Sequence, residues 1–272
     1  MDVSSSPIQS VDDLLDGMPP RALFLAARPE SSGLTAQLIA RLGRSAEPLL
    51  LNYSEQKETP LMWAAHFSNA GYAKALAPHS NLLSSDRNGH TALCFAARNG
   101  STEAALLLSR LAGPGFANIN KTTPLMMAAR GGSVETLRAL LPSENPAACD
   151  LHGNNALMAA LAESRLQTSL MLIPATPLGQ RNATDYTALG IAAFRGLGEA
   201  CEAILRQLHE QSHPNWAIKQ QVDAAIFEAR KGGHEPLAIH LLEMSQALRE
   251  AADLGSYIFT GASQLKTKAP RI

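Results

Sequence analysis

The chain has 272 residues, 46% of them hydrophobic, enough to bury a sizeable core and too many for a globally disordered polymer. Lys plus Arg total 23 against 24 Asp plus Glu, and only 5% of residues are aromatic. That balance argues against a general nucleic-acid binder, which needs a basic excess and stacking surface.

The first eighteen residues, opening "MDVSSSPIQSVDDLLDG", are acidic and Ser-rich. They lack a positive n-region and an apolar h-region, so Sec export is not expected and a flexible segment over 1–18 is. Beyond them the chain repeats itself. "TPLMWAA" from Thr59, "TALCFAA" from Thr91, "TPLMMAA" from Thr123, "NALMAAL" from Asn155 and "TALGIAA" from Thr187 start at one constant interval, four times running. The period, roughly 32 residues, lies within the span that marks repeat arrays. Two weaker copies flank these five at longer intervals: "RALFLAA" from Arg21 on the N-terminal side and "DAAIFEA" from Asp223 on the C-terminal side. The seven units account for residues 19–243.

Each unit reads as two helices joined by a turn. Thr or Asn at the first position can cap a helix by accepting from a free amide of its first turn. Pro60 and Pro124 then stand at N1, where a missing N–H does no harm. The third position carries Leu23, Leu61, Leu93, Leu125, Leu157 and Leu189; the sixth carries Ala26, Ala64, Ala96, Ala128, Ala160 and Ala192. Leucine is expected to fill a shared core while alanine lets neighbouring helices approach. Gly100, Gly132, Gly196 and Gly232 follow the cap by nine residues, where a helix end wants a left-handed residue. Leu38, Leu76, Leu108, Leu140, Leu172 and Ile204, seventeen past the cap, place the apolar face of a second helix.

These residues resemble the ankyrin repeat, with its finger, T-P-L-x-x-A-A helix, Gly turn and Leu-rich second helix, over most of the chain. The finger signature D-x-x-G-x-T stands in "DRNGHT" (Asp86 to Thr91) and nearly so in "DLHGNN" (Asp150 to Asn155). The resemblance implies a mainly α fold, an ankyrin-repeat solenoid of stacked helix-turn-helix units with short hairpin-like fingers. It also implies protein–protein recognition as the use. Two departures stand out. The family's usual His three past the Thr is replaced by Met62, Cys94, Met126, Met158 and Gly190, and Lys57, Lys121 and Asp185 occupy finger-glycine positions, so those tips are expected to be irregular.

Three constellations invite a chemical reading. "HEQSH" at 209–213 spells H-E-x-x-H, which on one helix would set two imidazoles and a general base around zinc. Here the second helix of its unit is expected to end near Leu208, His209 to begin a connection, and Pro214 to push His213 out of the helical region, so a loop with no metal is expected. His90 and Cys94 lie four apart, but Cys94 takes the place of a core methionine and reads as a packed small hydrophobe. "HEPLAIH", His234 to His240, belongs to a terminal unit and reads as partly exposed capping surface. Cys94, Cys149 and Cys201 are odd in number with no C-x-x-C spacing, so a reducing intracellular location is expected, with neither a disulfide framework nor a zinc ribbon.

The informative polar pattern lies seven and eight residues past each cap, which the resemblance puts on the groove side. It reads Arg28, His66 and Phe67, Arg98 and Asn99, Arg130, Glu163, Phe194 and Arg195, then Arg230 and Lys231. A solvated helix end favours cations by itself; a mostly cationic strip with aromatic islands also suits a partner protein with an acidic surface. Arg87, Asn88, His90 and Tyr186 on the fingers complete the candidate contact set. After Glu243 the sequence can continue as a short capping helix before the basic tail "KTKAPRI", giving a C-terminal segment over 244–272.

The sequence thus points to a non-enzymatic binding module, monomeric when unbound, needing no cofactor and no membrane insertion: no run approaches 18 uninterrupted apolar residues. A bacterial effector delivered into a host cell is the specific form expected. A toxin-neutralising immunity protein, or an enzyme with a cryptic site in the groove or C-terminal segment, are the alternatives, since a fold does not fix a function.

Overall fold

Each repeat begins where a Thr or Asn can turn the chain into a helix. The computed structural model, which describes residues 54–113, 117–211 and 215–246, has helices at those places. In chain order they pair as α1 (Pro60–His66) with α2 (Ala70–Leu76), α3 (Ala92–Arg98) with α4 (Thr102–Ala112), α5 (Pro124–Gly131) with α6 (Val134–Leu140), α7 (Ala156–Ala162) with α8 (Leu166–Leu172), and α9 (Ala188–Phe194) with α10 (Gly198–Glu210). Helix α11 (Asn215–Lys231) and a helix over 235–246, α12, complete the described chain. No strand occurs among the described residues. The described chain divides between Leu172 and Ile173 into two compact units.

The caps work as their chemistry requires. Thr59, Thr123, Asn155 and Thr187 accept from the backbone N–H of Met62, Met126, Met158 and Gly190. Thr91 differs: its hydroxyl donates to Cys94 Sγ at 3.6 Å and makes no capping bond. Helices of seven residues are too short to persist alone, so packing must hold them. In the first unit α1 packs on α3, α3 on α5 and α5 on α7, with α4 against α2 and α6 behind them. The repeated leucines of both units are buried, as are all five alanines from Ala64 to Ala192. Leu76, Leu108, Leu140, Leu172 and Ile204 form the second-helix core as expected, and Met62, Met126 and Met158 are core residues. Backbones approach so closely that a Cβ at Gly131 would run into the Arg98 carbonyl oxygen, which explains glycine there.

The fingers correct an expectation. Lys57, Gly89, Lys121, Gly153 and Asp185, one per repeat at the same register, all have left-handed φ, between 55° and 80°. The tips with Lys or Asp are therefore regular, not irregular. The cause sits three residues upstream. Ser54, Asp86, Asn118, Asp150 and Asn182 each accept two backbone N–H groups, from the residues two and four further on. That side-chain clamp holds the turn whether or not the tip is glycine. The same substitution occurs at the helix–helix turn, where Ser68 and Ser164 take the left-handed conformation of Gly100, Gly132 and Gly196. Adjacent fingers bond through their backbones, Arg87 N–H to Gln56 C=O and Leu151 N–H to Asn120 C=O, both at 3.0 Å.

The last unit departs most. Asp223 starts no helix; α11 runs unbroken through it, burying Ile218, Val222, Ala225 and Ala229. The repeat register there is one residue later than the sequence suggests, and the left-handed glycine is Gly233, not Gly232. Gly232 instead faces the Phe194 carbonyl, as Gly131 faces that of Arg98. Helix α10 also extends two residues beyond its expected end, so His209 and Glu210 occupy its last turn. His213 and Pro214 lie outside the described residues, as do Arg21, Leu23, Ala26, Arg28, Leu38, residues 1–18 and the basic tail. Helix α12 covers the expected second helix of this unit and passes Glu243.

Candidate functional site

The residues seven and eight past each cap end the first helices, so their side chains leave the packed core. In the first unit His66 and Asn99 meet: Asn99 Nδ2 donates to the His66 carbonyl at 3.0 Å and lies 3.3 Å from its Nδ1. The His66 ring stands edge-on to Phe67 and Phe95, with centroids 5.1 and 5.9 Å away. Arg98 is exposed, with no ion pair among the described residues. Arg130 is half-buried and lies 3.7 Å from the buried Asp150 carboxylate, so part of its charge is answered within the chain.

Sequence reasoning missed the ring beneath this strip. Trp63 and Phe95, four residues past their caps, stand one helical turn below Phe67 and Asn99 on the same face. Trp63 packs against Phe67 at 5.6 Å, and its indole N–H donates to Glu58 Oε2 at 3.0 Å. Ser54 Oγ donates to the same oxygen, fixing the carboxylate. Together Glu58, Met62, Trp63, His66, Phe67 and Phe95 line an open cavity of about 130 Å³. The signal was available as the i, i+4 partner of each strip residue.

The finger residues are placed by the clamp. Asp86 accepts from the His90 N–H at 2.7 Å and its other oxygen lies 3.3 Å from His90 Nδ1. His90 thus faces a carboxylate, while Cys94 is buried and its thiol is pushed up by desolvation, opposite to what a nucleophile needs. Arg87 and Asn88 are exposed at the tip, and the Asn88 carbonyl accepts from Asn120 Nδ2.

In the second unit Tyr186, Phe194, Arg195, Arg230 and Lys231 separate into two groups. Tyr186 Oη donates to Glu228 Oε2 at 2.9 Å and accepts from Lys231 Nζ at 2.9 Å. The same ammonium lies 3.5 Å from Glu228 and 5.7 and 5.9 Å from the ring centres of Tyr186 and Phe194. Tyr186 raises the Lys231 pKa above its ordinary value, with Glu228 next in effect. Arg230 turns elsewhere, to Glu235 at 3.1 Å, and Arg195 is exposed without an ion pair among the described residues. With the corrected register Lys231, not Arg230, is the counterpart of Arg98 and Arg130. The two histidines of "HEPLAIH" also separate: His240 lies 3.0 Å from Glu202, and the His234 ring packs beside Gly196.

Among the described residues no helix is long and apolar enough to cross a membrane. No curated protein matches the chain. A family model described as ankyrin repeats in three copies matches residues 23–113 and 106–180, together more than half of the sequence. With its period, caps, leucines and clamped fingers all in agreement, the chain belongs to the ankyrin-repeat family, whose units serve protein–protein interaction.

Proposed function

We propose that this protein is a non-enzymatic binding module that grips a partner protein through the ends of its first helices and the adjoining fingers. The observation that carries the reading is Arg98, an exposed cation with no ion pair among the described residues, at the end of the helix that carries Phe95 and next to Asn99, which bonds to His66. A cation unanswered within the described chain suits an acidic segment of a partner, the charge steering the encounter and the rings supplying desolvated contact. Arg195 beside the exposed Phe194 repeats the theme in the second unit. Arg130 and Arg230 already hold carboxylates and contribute less.

Affinity capture with wild type and with the Arg98→Glu/Arg195→Glu variant tests this. The expected outcome is a partner retained by wild type, lost by the variant at unchanged circular dichroism, and released as salt rises past about 0.15 M. Equal retention by both proteins in high salt moves the contact surface to Arg87, Asn88 and His90.

Within this reading the partner belongs to a host cell into which the protein is delivered as an effector. The Ser-rich start and the departures from the family pattern support that placement. A reporter fusion that signals only in host cytosol tests it; a silent reporter during infection returns the protein to the cell that makes it.

A further inference from the structure

The second unit shows what this chain does with an ammonium group. Lys231 Nζ sits between the Tyr186 and Phe194 rings, 5.7 and 5.9 Å from their centres, with the Glu228 carboxylate at 3.5 Å. Rings at that distance attract a cation through their negative faces, and the carboxylate adds its charge. The cavity of the first unit has the same ingredients. Trp63, Phe67 and Phe95 supply the rings, tilted against one another or against His66 by 59–88°, as walls rather than as a stack. Glu58 supplies the charge, held by Trp63 and Ser54. What differs is the cation. Arg98 occupies the counterpart position of Lys231, yet no cation–ring contact of Arg98 occurs among the described residues.

The size of the cavity narrows the ligand. About 130 Å³ is a little less than the roughly 150 Å³ of a cavity that takes up benzene, so the space suits a group of a few heavy atoms. A nitrogen with three methyls is four heavy atoms. A bare ammonium would find acceptors only at Glu58 and His66, the remaining walls being rings and Met62. It would meet no hydroxyl comparable to that of Tyr186, which accepts from Lys231 in the second unit. A methylated nitrogen, by contrast, has little to hydrogen-bond and spreads its charge over apolar surface. We propose that the cavity lined by Glu58, Trp63, His66, Phe67 and Phe95 binds a methylated ammonium group, that of a methylated lysine in the partner polypeptide. The choice of a polypeptide rests on the interaction reading above.

The test uses the full chain carrying Trp216→Phe, which leaves Trp63 as its one indole; Trp216 is an exposed residue of α11 outside the cavity. Trp63 fluorescence is titrated with a short peptide bearing trimethyl-lysine, the same peptide with unmodified lysine, choline, and the neutral carbon isostere of choline. Saturable binding of the trimethyl-lysine peptide is expected, at least about tenfold tighter than its unmodified form, equal to about 1.4 kcal/mol. The isostere should bind at least about tenfold more weakly than choline. Glu58→Gln and Phe95→Leu, chosen to keep the shape of the core, should each weaken the peptide about five- to tenfold while the far-ultraviolet spectrum stays unchanged.

Equal binding of choline and its isostere makes this an ordinary apolar hollow and overturns the proposal. So does an absence of saturation with the methylated peptide. Choline binding more tightly than the peptide assigns the cavity to a small molecule or lipid headgroup and overturns the polypeptide assignment. The proposal and the interaction reading fail separately: a captured partner indifferent to Phe95→Leu removes the former alone, and a methyl-lysine site on a protein that captures nothing removes the latter.

Discussion

The first and second units carry the same design at their exposed helix ends and resolve it differently. In the second unit the cation is internal: Lys231 is held by Tyr186 and Glu228 and lies over the Tyr186 and Phe194 rings. In the first unit the rings are more numerous and the acid is present, but the counterpart Arg98 is exposed without an ion pair among the described residues. Equivalent positions in a repeat therefore do not have equivalent chemistry. What a position offers to solvent depends on whether the residues around it have already satisfied it. Among the described residues, a strip counted as cationic from sequence is, in three dimensions, a set of local pairs with Arg98 and Arg195 left over.

The units should be most alike in the core. Leu125→Asp in the first and Leu189→Asp in the second each place an unpaired charge where exposure is 0%, and each should cost at least about 4 kcal/mol in urea unfolding. If either is tolerated, the shared register of leucines is wrong for that unit.

The next effect is confined to the first unit. Glu144 is buried in the connection after α6, where the second unit has Thr176 at the same repeat position. Burial pushes the Glu144 carboxyl up to about 7, from an ordinary value of 4.5. A raised carboxyl pKa means the fold prefers the protonated form, so the cost is absent below about pH 4.5, grows from there to about pH 7, and is then constant. Glu144→Gln should stabilise the protein by about 1–2 kcal/mol at pH 8 and hardly at all at pH 4, read from urea midpoints at the two values. An equal gain at both pH values would show that the carboxylate carries no desolvation cost.

Smaller still is the difference between finger tips. Lys121 bears the left-handed conformation held only by the Asn118 clamp, its own side chain in no ion pair among the described residues, whereas Asp185 tolerates it better and its carboxylate also holds Arg181 at 2.9 Å. Lys121→Gly should therefore stabilise by about 0.5–1 kcal/mol and Asp185→Gly by less, measured as thermal shifts. A larger gain at 185 would mean the Asn182 clamp, not the tip, carries the strain. The last expected change concerns the internal cation alone. Tyr186→Phe removes the bond that does most to raise the Lys231 pKa, so its titration should move down toward the ordinary lysine range, followed by NMR of the Lys side chain.

Much of this molecule was legible in advance. The caps, the leucines, the alanines and the second-helix core stand where one fixed period puts them, because short helices that pack only on copies of themselves must repeat their packing residues. The finger tips were misread because attention went to the residue that bears the left-handed conformation. The residues that impose it are Ser54, Asn118 and Asn182, small polar side chains whose role emerges once the two N–H groups they hold are seen. The final unit was misplaced because its alanines fit two registers and the missing cap left nothing to choose between them. The cavity was overlooked for another reason: the i, i+4 spacing marks Trp63 and Phe95 one helix at a time, but its walls come from two repeats and meet only when α1 lies beside α3.

Helix α11 has a consequence for assembly. A finger presents backbone N–H and C=O groups sideways, and in the first unit those groups bind the neighbouring finger. In a stack of such elements, any finger left at an end has the same unmet valence as the edge of a sheet and can recruit a second molecule. Between α10 and α11 there is no room for a finger: the two helices are separated only by residues 211–214, and α11 occupies the stretch where clamp and tip would stand. A helix has spent its backbone groups on itself. By exchanging a finger for two extra helical turns, the chain offers no finger edge at α11, and any recruitment of a second molecule along that element must use side chains instead of backbone groups.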